Sequence, residues 1–89
     1  MINQKYGVAI RLRNYNNFVV ETHTLTDDHT TAVLELKNIS SIAPDIYDFA
    51  IVTKNKYGYK IDRESIVPGN IPLYDYQVES VPVEEIILN

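Results

Sequence analysis

The chain has no cysteine and no tryptophan, only one methionine and three glycines, and after Arg63 it has no lysine or arginine at all. Without cysteine there is neither a disulfide framework nor a thiolate metal site, and small secreted domains usually depend on the former. That favours an intracellular setting: the cytoplasm of a bacterial host cell, or a virion if the chain is a phage structural protein. Gly7, Gly58 and Gly69 are too far apart to form a phosphate-cradling loop. The longest uninterrupted apolar runs are short, as at Ile86 to Leu88, so neither a membrane span nor the apolar core of a signal peptide is expected. No heptad seam, internal repeat or low-complexity stretch is visible.

The missing cations divide the chain electrically. Residues 64–89 carry Glu64, Asp75, Glu79, Glu84 and Glu85 and sum to −5, whereas residues 1–63 sum to +1, so the net charge of −4 belongs to the last third. A sign asymmetry of this kind bears on partners and association rather than on fold.

What is present is an ordinary globular composition, 45% hydrophobic and 22% charged over 89 residues. This predicts one domain, residues 1–89, with no room for a second core. Isoleucine, asparagine and tyrosine are abundant while alanine and glycine are scarce. The first three have AT-rich codons and the last two GC-rich ones, which points to a low-GC bacterium or one of its phages.

Period-two alternation begins at Lys5, with Tyr6, Val8, Ile10 and Leu12 on one side and Gly7, Ala9, Arg11 and Arg13 on the other, the pattern of a half-buried strand. Asn14–Asn17 supplies turn residues, and Phe18–Leu25 reads as a second strand. After the turn at Thr26–His29, Ala32, Leu34 and Leu36 alternate with Thr31, Val33, Glu35 and Lys37. Thr30–Asn38 is therefore expected to be a third strand completing a meander. Asn38–Asp45 is a corner, a loop or one helical turn. Ile46–Lys54 and Tyr57–Asp62 predict a hairpin across Asn55-Lys56 with Gly58 at a bulge. Pro68-Gly69-Asn70 is a turn, and Ile71–Ser80 reads as a further strand. Val81–Leu88 suits an edge strand better than a helix. The fold class expected is all-β, a small antiparallel barrel or two-sheet sandwich of six or seven short strands with at most one short helical turn, its core drawn from Val8, Ile10, Leu12, Val20, Leu34, Leu36, Phe49, Ile51, Ile61 and Leu73.

Candidate chemistry is sparse. His23 and His29 flank Asp27 and Asp28, residue types that can ligate zinc, nickel or copper. The two histidines are six positions apart along strand and turn, so the segment reads as a polar turn; no metal and no cofactor is expected. There is no G-x-S-x-G and no Cys/His pair, and the tyrosines and threonines are accounted for by β-propensity. Asp45 with Asp48, and Asp75 with Glu79, have the residue types for acid and base work, but the domain is too small to enclose a sizeable cleft. The chain is expected not to be an enzyme.

Two segments carry interaction chemistry. Lys54, Lys56 and Lys60 interleave with Tyr57 and Tyr59, the mixture of phosphate contacts and stacking platforms found in single-strand binders. A sequence pI near 4.9 argues against nucleic acid as a partner, and lysines on a hairpin edge also guard against sheet-to-sheet pairing. The C-terminal Tyr74, Asp75, Tyr76, Glu79, Glu84 and Glu85 offer aromatics and carboxylates to a basic partner. The leading expectation is a small non-enzymatic protein–protein interaction module, a homo-oligomer among the forms considered, acting through an exposed β edge and this acidic segment. The alternatives are a phage-type acidic inhibitor occupying the nucleic-acid-binding groove of a host or defence protein, and a single-stranded nucleic-acid binder using Lys54–Lys60.

Overall fold

The computed structural model describes residues 4–72. Its frame is the pairing of β1 (Lys5–Leu12) with β3 (Tyr47–Asn55), antiparallel over eight consecutive residue pairs from Lys5↔Lys54 to Leu12↔Tyr47. β2 (Val19–Thr26) lines the other side of β1, and β4 (Gly58–Ile61) the other side of β3. The strand order is β2-β1-β3-β4, and the two-residue β5 (Val67–Pro68) pairs with β3 further along the same flank as β4.

β4 and β5 act as one interrupted strand, and the gap is closed by a 3-10 turn, Arg63–Ser65. Asp62 donates its N–H to the Ile51 carbonyl at 2.9 Å, and Ile51 donates its N–H to the Ser65 hydroxyl oxygen at 2.7 Å. A side-chain oxygen thus takes the place of a missing strand carbonyl. The same device repairs β2, whose register against β1 shifts between Tyr6 and Val8. There Val8 donates its N–H to Thr24 Oγ1 at 2.8 Å, and the buried hydroxyl passes its own proton to the Glu21 carbonyl at 2.6 Å. A buried backbone N–H left unpaired would cost about 1–3 kcal/mol, so these two hydroxyls let the strands be irregular.

Alternation places Val8, Phe49 and Ile51 on one sheet face, where they meet Ala32 and Leu36 in a buried cluster flanked by Tyr6, Ile10, Val33, Ile39, Ala43, Tyr47 and Val67. The layer supplying Ala32 and Leu36 is α1, a helix over His29–Ser41. This corrects the expected third strand at Thr30–Asn38: the meander stops at two strands, and the described residues are mostly β with one helix rather than all-β. Among the described residues neither a closed barrel nor a second sheet forms. Among the described residues the sheet is open, with β2 and β4 at its edges, and a helix, not a second sheet, covers one face.

Two periodicities competed at this segment. Ala32, Leu34 and Leu36 satisfy a period of two, but Ala32, Val33, Leu36 and Ile39 satisfy 3.6, and the second set is the one the core receives. Leu34, an expected core residue, is consequently 56% exposed. Asp28 starts the helix, its carboxylate accepting the Thr30 N–H at 3.3 Å and the Thr31 hydroxyl at 2.8 Å. At the other end Asn70 donates its N–H to the Ser40 carbonyl at 2.8 Å, and Ile71 donates to Ala43 at 3.0 Å. The corner read at Asn38–Asp45 is therefore the last helical turn plus a loop clasped by residues 69–71. Gly69 is required there, because a Cβ would overlap the Pro44 carbonyl.

The hairpin between β3 and β4 forms where expected, but its turn residues are Lys56 and Tyr57, with Asn55 opposite Gly58. Asn55 Oδ1 accepts the Tyr57 N–H at 2.8 Å, and Gly58 has φ +123°, which L side chains rarely adopt. Of the remaining expected core residues, Val20 and Ile61 are half-buried and Leu12 is 40% exposed. Of the strand read over Ile71–Ser80, Ile71 makes a single bridge to Pro44 and Pro72 is exposed, while residues 73–80, Leu73 among them, and the edge strand at Val81–Leu88 lie outside the described residues.

The helical register makes a graded expectation for urea denaturation. Leu36→Ala should cost about 2–4 kcal/mol as a core truncation, Asp28→Ala about 1 kcal/mol as a lost N-cap, and Leu34→Ala well under that of Leu36. Equal costs at positions 34 and 36 would contradict the helix.

Candidate interaction surfaces

At one end of the sheet the strands outrun the helix. Ile10, Leu12, Tyr15, Asn17, Val19 and Tyr47 line a shallow, largely apolar depression of about 250 Å³, and Tyr15 and Val19 are about two-thirds exposed. The expected strand-to-strand turn at Asn14–Asn17 forms one wall. Sequence alternation identified Ile10 and Leu12 as inward-facing; it did not show that the helix would stop short of Leu12.

Arg11 alternates with Ile10 onto the sheet face away from the helix, where its cross-strand partner is Asp48. Arg11 Nε lies 3.1 Å from Asp48 Oδ2, Arg13 Nε lies 3.5 Å from Oδ1, and the Arg11 guanidinium stacks 4.7 Å from the Phe18 ring centroid. Two cations share one carboxylate whose side chain is 10% exposed. Of Asp45 and Asp48, whose residue types suit acid and base work, Asp48 is engaged by two arginines and serves as an electrostatic tie between β1 and β3 rather than standing in solvent. The sequence held this signal in Arg11 and Arg13, but only the register of the two strands turns it into a contact.

The outer flank of β2 is an open sheet edge among the described residues. Val8 directs its N–H towards β2, so the alternation of backbone directions turns Val19 and Glu21 inward and Val20 outward. The strand reads Val-Val-Glu-Thr-His-Thr-Leu-Thr. It contains no lysine and no proline, the residues with which natural edges are commonly blunted.

The opposite edge has the reverse character. Lys54, Lys56, Tyr57, Tyr59 and Lys60, the set read as a nucleic-acid contact, are brought together on the β3–β4 hairpin. Tyr57 is 86% and Tyr59 48% exposed. Lys54 Nζ sits 5.7 Å from the Tyr59 ring centroid and Lys56 Nζ 5.2 Å from that of Tyr57. No carboxylate of the described residues pairs with these three lysines, whereas Lys5 is held by Asp27 at 2.8 Å.

The histidines do not converge. His29 opens the helix and packs edge-on against Tyr6 with ring centroids 5.1 Å apart, while His23 Nδ1 lies 3.8 Å from a Glu21 carboxylate oxygen. Among the described residues no group of three His, Asp or Glu side chains is placed to hold a metal ion, and no helix is long and apolar enough to cross a membrane. The partner-binding set Tyr74, Asp75, Tyr76, Glu79, Glu84 and Glu85 lies outside the described residues, as does the pairing of Asp75 with Glu79.

Removing the shared carboxylate would leave two guanidiniums facing each other. Asp48→Ala should therefore destabilise by about 2–3 kcal/mol in denaturant titration, and Arg13→Ala, an exposed partner, by less than about 1 kcal/mol. An Asp48→Ala protein as stable as the parent would show that the tie contributes nothing. In comparisons with known proteins, the chain matches no family model, no curated protein and no solved structure.

Proposed function

We propose that this chain is a non-enzymatic interaction module that binds another protein, or copies of itself, through the open β2 edge and the acidic, tyrosine-containing C-terminal segment. The observation that carries the reading is the β2 edge, regular over Val19–Glu21 before its register against β1 shifts, and carrying neither lysine nor proline. Such a row of outward N–H and C=O groups is a template for strand addition, in which main-chain hydrogen bonds supply affinity and side-chain pockets supply specificity. The apolar depression containing Val19 adjoins the start of the same strand, so an added strand would find an anchor for one aliphatic or aromatic side chain beside the edge. Tyr74 and Tyr76 give the C-terminal segment the residue type enriched at interface hot spots, and its acids would speed encounter with a basic partner.

A second reading is supported by the exposure of Tyr57 and Tyr59 between three lysines: contact with single-stranded nucleic acid through the hairpin. The net charge of −4 opposes it. The inhibitor reading has only the acidity of residues 73–89 behind it.

Val19→Lys with Thr22→Lys places two cations on the open edge at exposed positions, where substitutions usually change stability by no more than about 0.5 kcal/mol. The double variant should stay folded and lose self-association in light scattering, or lose capture of the partner retained by the parent chain in affinity purification. Retention of both by the variant would sink the edge reading. A gel shift of a short oligonucleotide at low salt, abolished by Lys56→Glu, would favour the second reading instead.

A further inference from the structure

We propose that the β2 edge takes an extended segment of another protein in which a basic residue stands two positions before a large apolar one. The proposal rests on the reading of β2 as a strand-addition edge and names the sequence chemistry that this edge selects.

Backbone direction sets the register. β2 pairs regularly with β1 over Val19–Glu21, and within that stretch Val20 alone turns its N–H and C=O outward. An incoming strand therefore centres one residue on Val20. In antiparallel pairing the residue before it lies opposite Glu21 and the residue after it opposite Val19. A single residue's main-chain groups give little affinity, since each such bond adds only about fivefold. The side chains at the two flanking positions then decide what binds.

Those two positions share one face. Val19 and Glu21 are opposite Ile10 and Val8, whose side chains join the core under the helix. Incoming side chains opposite them also lie on the helix side, at the short Cα spacing of a pair without mutual hydrogen bonds. Val19 is 64% exposed where the strands outrun the helix. A Phe, Leu or Met opposite it packs on Val19, with the floor of Ile10 and Leu12 beyond it in the depression. No charge meets it there, because Arg11 turns its guanidinium to Asp48 and Phe18 on the other face. Glu21 is the one charged residue of the regular stretch, its side chain 40% exposed. A Lys or Arg opposite it forms a cross-strand charge pair.

The same register argues against a second copy as the occupant. Two β2 edges paired about Val20 would set Glu21 of each copy opposite Val19 of the other, a carboxylate against an apolar surface. On the other edge Asp62 donates its N–H to the Ile51 carbonyl, so alternation along β4 turns Tyr59 and Ile61 outward. Setting either of those against Val20 brings Lys60 or Asp62 opposite Val19. Neither edge of the described residues carries an apolar side chain at the required place.

Titration of the isotope-labelled full chain with acetyl-Thr-Lys-Thr-Phe-Thr-amide, followed by amide and methyl NMR shifts, tests this. The peptide should shift Val19, Val20, Glu21 and Leu12, and bind about tenfold more tightly than the same peptide with Ala in place of Phe. It should also bind more tightly than the reversed order, in which Phe precedes Lys. Val20→Pro deletes an outward N–H at an edge position where proline is tolerated, and should weaken binding about fivefold. Leu12→Thr, at a 40% exposed site, should shrink the Phe-over-Ala preference to about threefold or less. Equal binding of the Phe and Ala peptides, or of the two orders, overturns the proposal. So does the absence of shifts at these residues in the parent chain, a result that depends on no variant folding. Acetyl-phenylalanine amide binding as tightly as the peptide assigns the depression to a small molecule, and the same shifts on raising protein concentration alone assign the edge to a second copy; each overturns it too. Partner capture lost in Val19→Lys/Thr22→Lys without peptide selectivity leaves the edge reading standing and removes this sequence preference. Selective peptide binding with capture indifferent to that variant does the reverse.

Discussion

The antiparallel pairing of β1 with β3 is the constraint on which the rest of the molecule depends. Eight consecutive pairs fix which side chains face the helix and which face away, and a slip of one residue would send Val8, Phe49 and Ile51 to the wrong side. The Arg11–Asp48 pair adds a register-specific interaction, because a slipped strand would leave a largely buried carboxylate without its guanidinium. Once that pair of strands is set, the helix has one apolar face to cover and the outer strands have backbone groups to satisfy.

The outer strands meet that demand imperfectly, and hydroxyls make up the difference. Thr24 fills the irregularity in β2 and Ser65 fills the interval between β4 and β5, each accepting a backbone N–H from the central pair. This is why such short outer elements can hold the frame. It also explains threonine at position 24, where β-propensity alone would have accepted valine.

The central strands were legible in the sequence because Tyr6–Leu12 alternates as a half-buried strand does, and Ile46–Lys54 holds the short apolar, β-branched and aromatic run of a strand buried through its middle. The hairpin was legible from Asn55, whose side chain accepts the Tyr57 N–H, and Gly58, whose positive φ the turn uses. The helix was not, because Thr30, Thr31 and Val33 are β-branched and Leu34 fits the alternation without belonging to the core. Asp28 was the decisive signal: an N-cap residue four positions before Ala32, with Val33, Leu36 and Ile39 following at helical spacing. The candidate surfaces were legible in part. The lysines and tyrosines of the hairpin do come together, whereas the Arg11–Arg13–Asp48 cluster joins residues separated by more than thirty positions and requires the strand register to be seen.

The two sheet edges differ in a way that assigns them different roles. β4 is short and lysine-bearing, and such an edge resists pairing with a like edge while remaining open to an acidic strand. β2 is longer, carries neither lysine nor proline, and begins beside the apolar depression. Repulsion between lysine-bearing edges makes the β4 side a poor template for a second copy, so strand addition at β2 ends at one partner rather than an open-ended stack. On the proposed reading, affinity at β2 would come from main-chain pairing and apolar fit, with charge acting on the rate of encounter.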